Sequence, residues 1–312
     1  MPADLLDSGH STAGRQILPF RSRALYLVQA YKHTVSQPAK AESPEWVSMA
    51  ASIQVPAESR FWRWLKATTP YPTTLAWCHT TDAFSLRDII AAGFLSPKPC
   101  PVFREDLMYF FYGRPAYRTD ATNQLRTRAV QPVVLVLRPD LQQQGKRLFP
   151  FDTGAFASKR YAAWMHAGMS MSDFELECPS DAPRRHVASF FGNNANYLRL
   201  KAQPPTVPYA GEFEVDALVT MLTDPNITNA DDRRIAVELQ FSCPVAMTAE
   251  HIQALIVPLE LQQAGFMSSF LSGAGAGIEV CSYEPSQWKV AGEYQALLEE
   301  RARDLQEKWG LA

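Results

Sequence analysis

The sequence predicts an α+β fold with helices flanking a sheet, an N-terminal helical addition and a C-terminal helix. Short apolar runs bounded by turn residues recur without the regular strand–helix alternation of a doubly wound sheet. The 23 Pro outnumber the 15 Gly, which favours many short strands and turns over a helical bundle. Of 312 residues 46% are hydrophobic, with 17 Phe, 11 Tyr and 7 Trp. That is enough for a sizeable core and too much for general disorder.

Taken in order, residues 1–20 read as a loose leader. Residues 21–66 read as short helices broken by Pro38, Pro44 and Pro56, so residues 1–70 form an accessory helical segment. Its aromatic cluster at 61–65 either covers the main domain or docks a partner. Residues 74–79 predict a strand. Asp82 or Ser85 then caps a helix whose apolar face is Phe84, Leu86, Ile89 and Ile90, with Gly93 as its stop. Residues 107–112 predict a second strand, and 133–137, apolar throughout, a third buried on both faces. Residues 215–222, 235–241 and 254–257 read as later strands, completing a domain of residues 71–285. Residues 286–312 read as an amphipathic helix packed on it, with Trp288, Tyr294, Leu297, Leu298, Leu305 and Trp309 apolar.

Composition excludes several classes. A formal net charge of −2 is not that of a polycation, so nucleic-acid binding needs a local basic patch. Five scattered Cys without a Cys-x-x-Cys pair, and six scattered His, argue against a disulfide framework or a structural zinc site. The first eighteen residues carry Asp4, Asp7 and His10 and do not read as a signal peptide; no apolar run is long enough to span a bilayer. The expected location is a reducing cytoplasm.

Three stretches carry candidate chemistry. In Trp77-Cys-His-Thr-Thr-Asp82 a His at a strand end can offer one ring nitrogen to a ligand hydroxyl while backbone holds the other; the plainer reading is a structural His. In residues 107–117 the aromatics of Tyr109-Phe-Phe-Tyr112 lead into Gly113, Arg114 and Pro115. Such rings can stack on nicotinamide or adenine, and a guanidinium fork can hold a pyrophosphate; the plainer reading is a core strand with a solvated Arg. In residues 233–240 Ile235, Val237 and Leu239 alternate with Ala236, Glu238 and Gln240, so Glu238 and Gln240 share a strand face. A mid-strand carboxylate belongs either to a solvent-facing edge or to a site that stabilises a developing cation.

In this order the three stretches resemble the ADP-ribosyltransferase superfamily. His79-Thr80-Thr81, with its helix and Ala92-Gly93-Phe94, is similar to the opening element. Tyr109 to Tyr117 is similar to the aromatic-plus-arginine signature of DNA-targeting transferase toxins from toxin–antitoxin pairs, with Arg114 in the arginine's place. Residues 234–239, continuing to 258, resemble the strand with the catalytic glutamate, matched by Glu238. Pro115-Ala116 departs from the Ser-Pro-Met of those toxins. The insert between Arg114 and Glu238 holds two stretches without a place in the family, 149–155 and 190–197. Glu212 and Glu214 compete for the catalytic role.

The resemblance implies a split β-sheet core and NAD as co-substrate, without metal. His79 and Thr80 would contact the adenosine-side ribose, and Tyr109 or Tyr112 would stack on nicotinamide, with Gly113 and Arg118 also against NAD. Arg114 would hold the pyrophosphate or steer the acceptor. Glu238 would grip the nicotinamide-ribose 2′-hydroxyl and orient the acceptor. The acceptor would be a nucleic acid or a protein, and an antitoxin or other inhibitory partner would restrain a toxin or phage-defence effector of this kind. Arg114, Arg118, Arg126 and Arg128, then Lys159-Arg160 and Arg184-Arg185-His186, could line a nucleic-acid track. The alternatives are a non-catalytic nucleotide-binding module and an RNA 2′-phosphotransferase of the same fold. A metal nuclease would draw on adjacent acids such as Asp231-Asp232 and Glu299-Glu300.

Overall fold

The computed structural model divides into two units, Met1–Gln54 and Val55–Ala312. The described residues are 58–116, 125, 127–178, 181–206, 211–225, 234–286 and 290–312, all in the second unit. Expectations for residues 1–57, and for Tyr117, Arg118, Arg126, Asp231, Asp232, Arg233 and Trp288, lie outside them.

The second unit is α+β, with a mixed sheet of eight strands among the described residues. The strands are β1 (Trp77–Asp82), β3 (Lys98–Cys100), β4 (Glu105–Tyr112), β5 (Pro132–Leu137), β6 (Arg147–Phe149), β7 (Glu238–Phe241), β9 (Ile252–Pro258) and β10 (Glu279–Tyr283). They run β10-β9-β5-β1-β4-β7-β6, with β3 paired to β4. β9 and β10 are parallel; the other pairs are antiparallel. A small pair, β2 (Phe94–Leu95) with β8 (Val245–Ala246), stands apart from this sheet.

β5 is the apolar strand of the sequence reading and is buried at all six positions. Its alternation divides the interior. Val133, Leu135 and Leu137 enter the larger core on one face. Val134 and Val136 enter a second core with Tyr294, Leu298, Ala302 and Leu305 of the C-terminal helix α9 (Ala291–Lys308). The cluster at 61–65 also belongs to the interior. Helix α1 (Arg60–Leu65) buries Phe61, Trp62 and Leu65, and Phe61 stacks at 6.0 Å on Phe190 of α4 (Ala182–Phe191). Helix α2 (Ala83–Ala92) starts at Asp82, whose carboxylate accepts from Ser85 N at 2.7 Å, and stops at Gly93, φ 77°.

Three strand assignments change; β7, expected from residue 235, begins only at Glu238. β1 begins at Trp77, three residues later than the sequence suggests, because side chains take the preceding N–H groups: Leu75 N donates to Tyr112 Oη and Ala76 N to Gln306 Oε1. Residues 215–222 form no strand; they lie in helix α6 (Phe213–Thr223). Their buried positions, Val215, Leu218, Met221 and Leu222, recur every three to four residues. Glu214 and Asp216 supply the negative charge a helix N-terminus favours.

Candidate functional site

The sheet parts between β1 and β4. These strands pair at Trp77↔Tyr112 and Cys78↔Phe111, whereas β1 pairs with β5 along all six residues to Asp82↔Pro132. Where the β1–β4 ladder stops, a side chain takes over: His79 Nδ1 lies 2.9 Å from the Tyr109 carbonyl. A carbonyl only accepts, so Nδ1 carries the proton and the lone pair of a neutral ring sits on Nε2. Thr80 follows, its hydroxyl oxygen enclosed without a hydrogen-bond partner among the described residues. Tyr109 is half-buried across the parting and donates from its hydroxyl to Cys100 Sγ at 2.6 Å.

One strand further, Glu238 opens β7. It stands opposite Phe111 of β4 and Phe149 of β6, so its strand is no edge, and its exposure is 0%. Among the described residues the carboxyl group accepts from Thr153 N at 3.2 Å, Thr153 Oγ1 at 2.6 Å and Gln240 Nε2 at 2.8 Å. Thr153 opens the short helix α3 (Thr153–Ala157), capped by Asp152 through Ala155 N at 2.8 Å. The stretch 149–155 is therefore the cradle of Glu238. Opposed residues of an antiparallel pair share a face, and faces alternate along a strand. Hence Thr80, Tyr109, Glu238 and Gln240 belong to one face, and His79, Trp77 and Tyr112 to the other.

Two further candidates occupy other surroundings. Tyr112 is a core residue: its ring packs on Trp77 at 5.1 Å and Tyr197 at 5.9 Å, and it is fully buried. Burial pushes its phenol far up, and no face of the ring is open for stacking on a base. Gly113 serves the turn that follows. Its φ is 66°, and a Cβ there would meet Leu75 Cδ1 at 2.6 Å.

Arg114 is 2% exposed and pairs with Glu299 of α9 at 2.7 Å. Gln295 joins this contact, donating to Glu299 Oε1 at 2.5 Å and to the Pro115 carbonyl at 3.0 Å. The guanidinium field reaches into the core. It opposes the strong upward push that burial gives the Cys78 thiol and the Tyr197 phenol. Tyr197, from the second unplaced stretch and in helix α5 (Asn194–Leu198), donates to the Tyr112 carbonyl at 2.9 Å and locks the exit of β4.

The other carboxylates stand elsewhere. Glu214 is buried in α6, 3.7 Å from Arg60, with Glu212 just before the helix. The basic track is mostly engaged in structure. Arg184 donates to the Tyr71 carbonyl, Arg185 pairs with Asp181 and binds the Lys66 carbonyl, and Arg128 pairs with Glu260. His186 is wholly buried against Phe190 and Phe191. Among the described residues no group of three or more His, Cys, Asp or Glu could hold a metal ion, and no helix is long and apolar enough to cross a membrane.

Sequence reasoning missed Thr153 and Gln295, and it named Glu299 only as one of an adjacent acidic pair. For Thr153 a signal existed: Asp152 before Thr-Gly-Ala is a helix-capping pattern. Nothing local marked the pairing of Arg114 with Glu299. Compared with known proteins, the chain matches no family model, and no curated protein matches it.

Proposed function

We propose that the parting of β1 from β4 is a nucleotide cleft and that the protein transfers ADP-ribose from NAD to a macromolecule. The observation that carries this reading is the sheet opening at His79. Thr80 and Tyr109 flank it, and the Glu238 carboxyl group stands on the adjoining strand. In the proposed reaction the bond between the ribose C1′ and the nicotinamide nitrogen breaks, and nicotinamide leaves with the bonding electrons. The ribosyl cation is captured by an acceptor oxygen or nitrogen of a nucleic acid or protein, which loses a proton. His79 and Thr80, which leave β1 on opposite faces at the opening, would each bind a ribose hydroxyl, and Tyr109 would supply the stacking face. Glu238 would stabilise the cation by its charge, a ribose hydroxyl replacing the Thr153 hydroxyl as its donor. Arg114, buried against Glu299, would act through the shape of the β4 exit.

The complete enclosure of Glu238 favours a second reading, a nucleotide-binding module without chemistry, in which that carboxylate is structural. Titration of NAD into the full chain tests the cleft common to both. His79→Ala and Tyr109→Ala should each weaken binding about tenfold or more, with melting temperatures near that of the parent. Equal NAD affinity in parent and both variants would remove the cleft assignment. Nicotinamide release then separates the two readings.

A further inference from the structure

On the other side of β5 from the parting, a cavity stands at the carboxyl ends of the parallel strands β9 and β10. It holds about 430 Å³ and is lined by Leu259, Ser282, Tyr283, Glu284, Leu297 and Arg301. The chain leaves β9 through α7 (Leu259–Gln262) and α8 (Gly265–Ser272) and returns as β10. Leu259 and Glu284, the residues that follow the two strands, therefore meet at one end. Crevices at the carboxyl ends of parallel strands are where open sheets commonly hold ligands. Helix α9 supplies the opposite wall: Leu297 and Arg301 are four residues apart and share a helical face. The floor is fixed, because Tyr283 donates to the Pro132 carbonyl at 2.7 Å and packs edge-on against Tyr294 at 5.8 Å.

The polar groups of this cavity are unevenly satisfied. Arg301 Nε is enclosed without a hydrogen-bond partner among the described residues, and its NH1 only approaches Asp304 at 3.6 Å. The side chain as a whole is 38% exposed, and a guanidinium fork lining a cavity fits a carboxylate. Glu284 is exposed and makes no ion pair among the described residues. It disfavours a phosphate dianion and offers a place for an ammonium group. Leu259 and Leu297 are half-buried and apolar. The volume lies at the small end of the range of ligand cavities, roughly 300–1,000 Å³.

The geometry points to a binding site for a small zwitterion with an aliphatic body, an α-amino acid of the leucine type. Its carboxylate lies on Arg301, its ammonium group near Glu284, and its side chain between Leu259 and Leu297.

Calorimetric titration of the full chain tests this, with L-leucine, isovalerate, isopentylamine and inorganic phosphate as separate probes. L-leucine should bind saturably and at least about tenfold tighter than each of the other three. Arg301→Gln removes the charge, and Leu297→Trp fills the cavity. Each should abolish leucine binding, with thermal melting confirming a folded protein, and His79→Ala should leave it unchanged. Failure of leucine to bind overturns the proposal. So does phosphate binding as tightly as leucine, or leucine binding that survives both substitutions.

Discussion

The strands β1, β5 and β9 and the strands β4, β7 and β6 form two parts of one sheet built in different ways. In the first, the centre is apolar. β5 is apolar at every position and buried on both faces, and the helix α9 closes one of them. In the second, the interior contains Glu238 and Gln240, both at 0% exposure, with Thr153 bonded to each. Buried apolar strands hold by area and packing, and a buried carboxylate holds only if each partner stays in place. The two parts meet where β1 and β4 stop pairing. The candidate site spans this junction, with His79 and Thr80 from the first part and Tyr109, Glu238 and Gln240 from the second.

The largest expected effect lies in the apolar part. Leu135→Ala leaves a cavity between β1 and β9 and should lower the unfolding free energy by about 4 kcal/mol, read by urea denaturation. Next comes the polar part. Glu238→Ala strands the Thr153 and Gln240 donors and should cost about 3 kcal/mol, whereas Glu238→Gln, which retains an acceptor, should cost less than half of that. Equal costs for these two variants would mean that the carboxylate is held by packing and not by its donors.

The same contrast explains what was legible in the sequence. The apolar run of β5, the cap at Asp82 and the stop at Gly93 are local patterns, and each was readable. The shared face of Glu238 and Gln240 followed from alternation and stands in the structure as a direct bond. Thr153 lies 85 residues from Glu238, and Arg114 lies 185 from Glu299. Partners so distant leave no periodic trace. Residues 215–222 were misread because a short apolar run fits a strand as well as a buried helix, and length and flanking charge had to decide.

A third prediction concerns acid. His186 is enclosed by rings, and burial lowers its pKa from 6.5 to about 3. Between those values the unfolded chain binds the proton and the folded chain does not, so stability falls as pH falls through this window. From pH 7 to 5 the loss assigned to His186 is about 2 kcal/mol, and His186→Leu should flatten the pH profile by that amount in thermal melts. A fourth, smaller effect tests the junction. Asp82→Ala removes the cap of α2 beside the parting and should cost about 1 kcal/mol, measured as a small drop in melting temperature.

The most direct test of the central claim is nicotinamide release from NAD by the full chain, with DNA, RNA or protein added as acceptor. Glu238→Gln is run beside it at matched fold stability. The account predicts release that depends on one acceptor class and falls at least about a hundredfold in the variant. Bound NAD without release under any of these conditions, or equal release by both proteins, would contradict it.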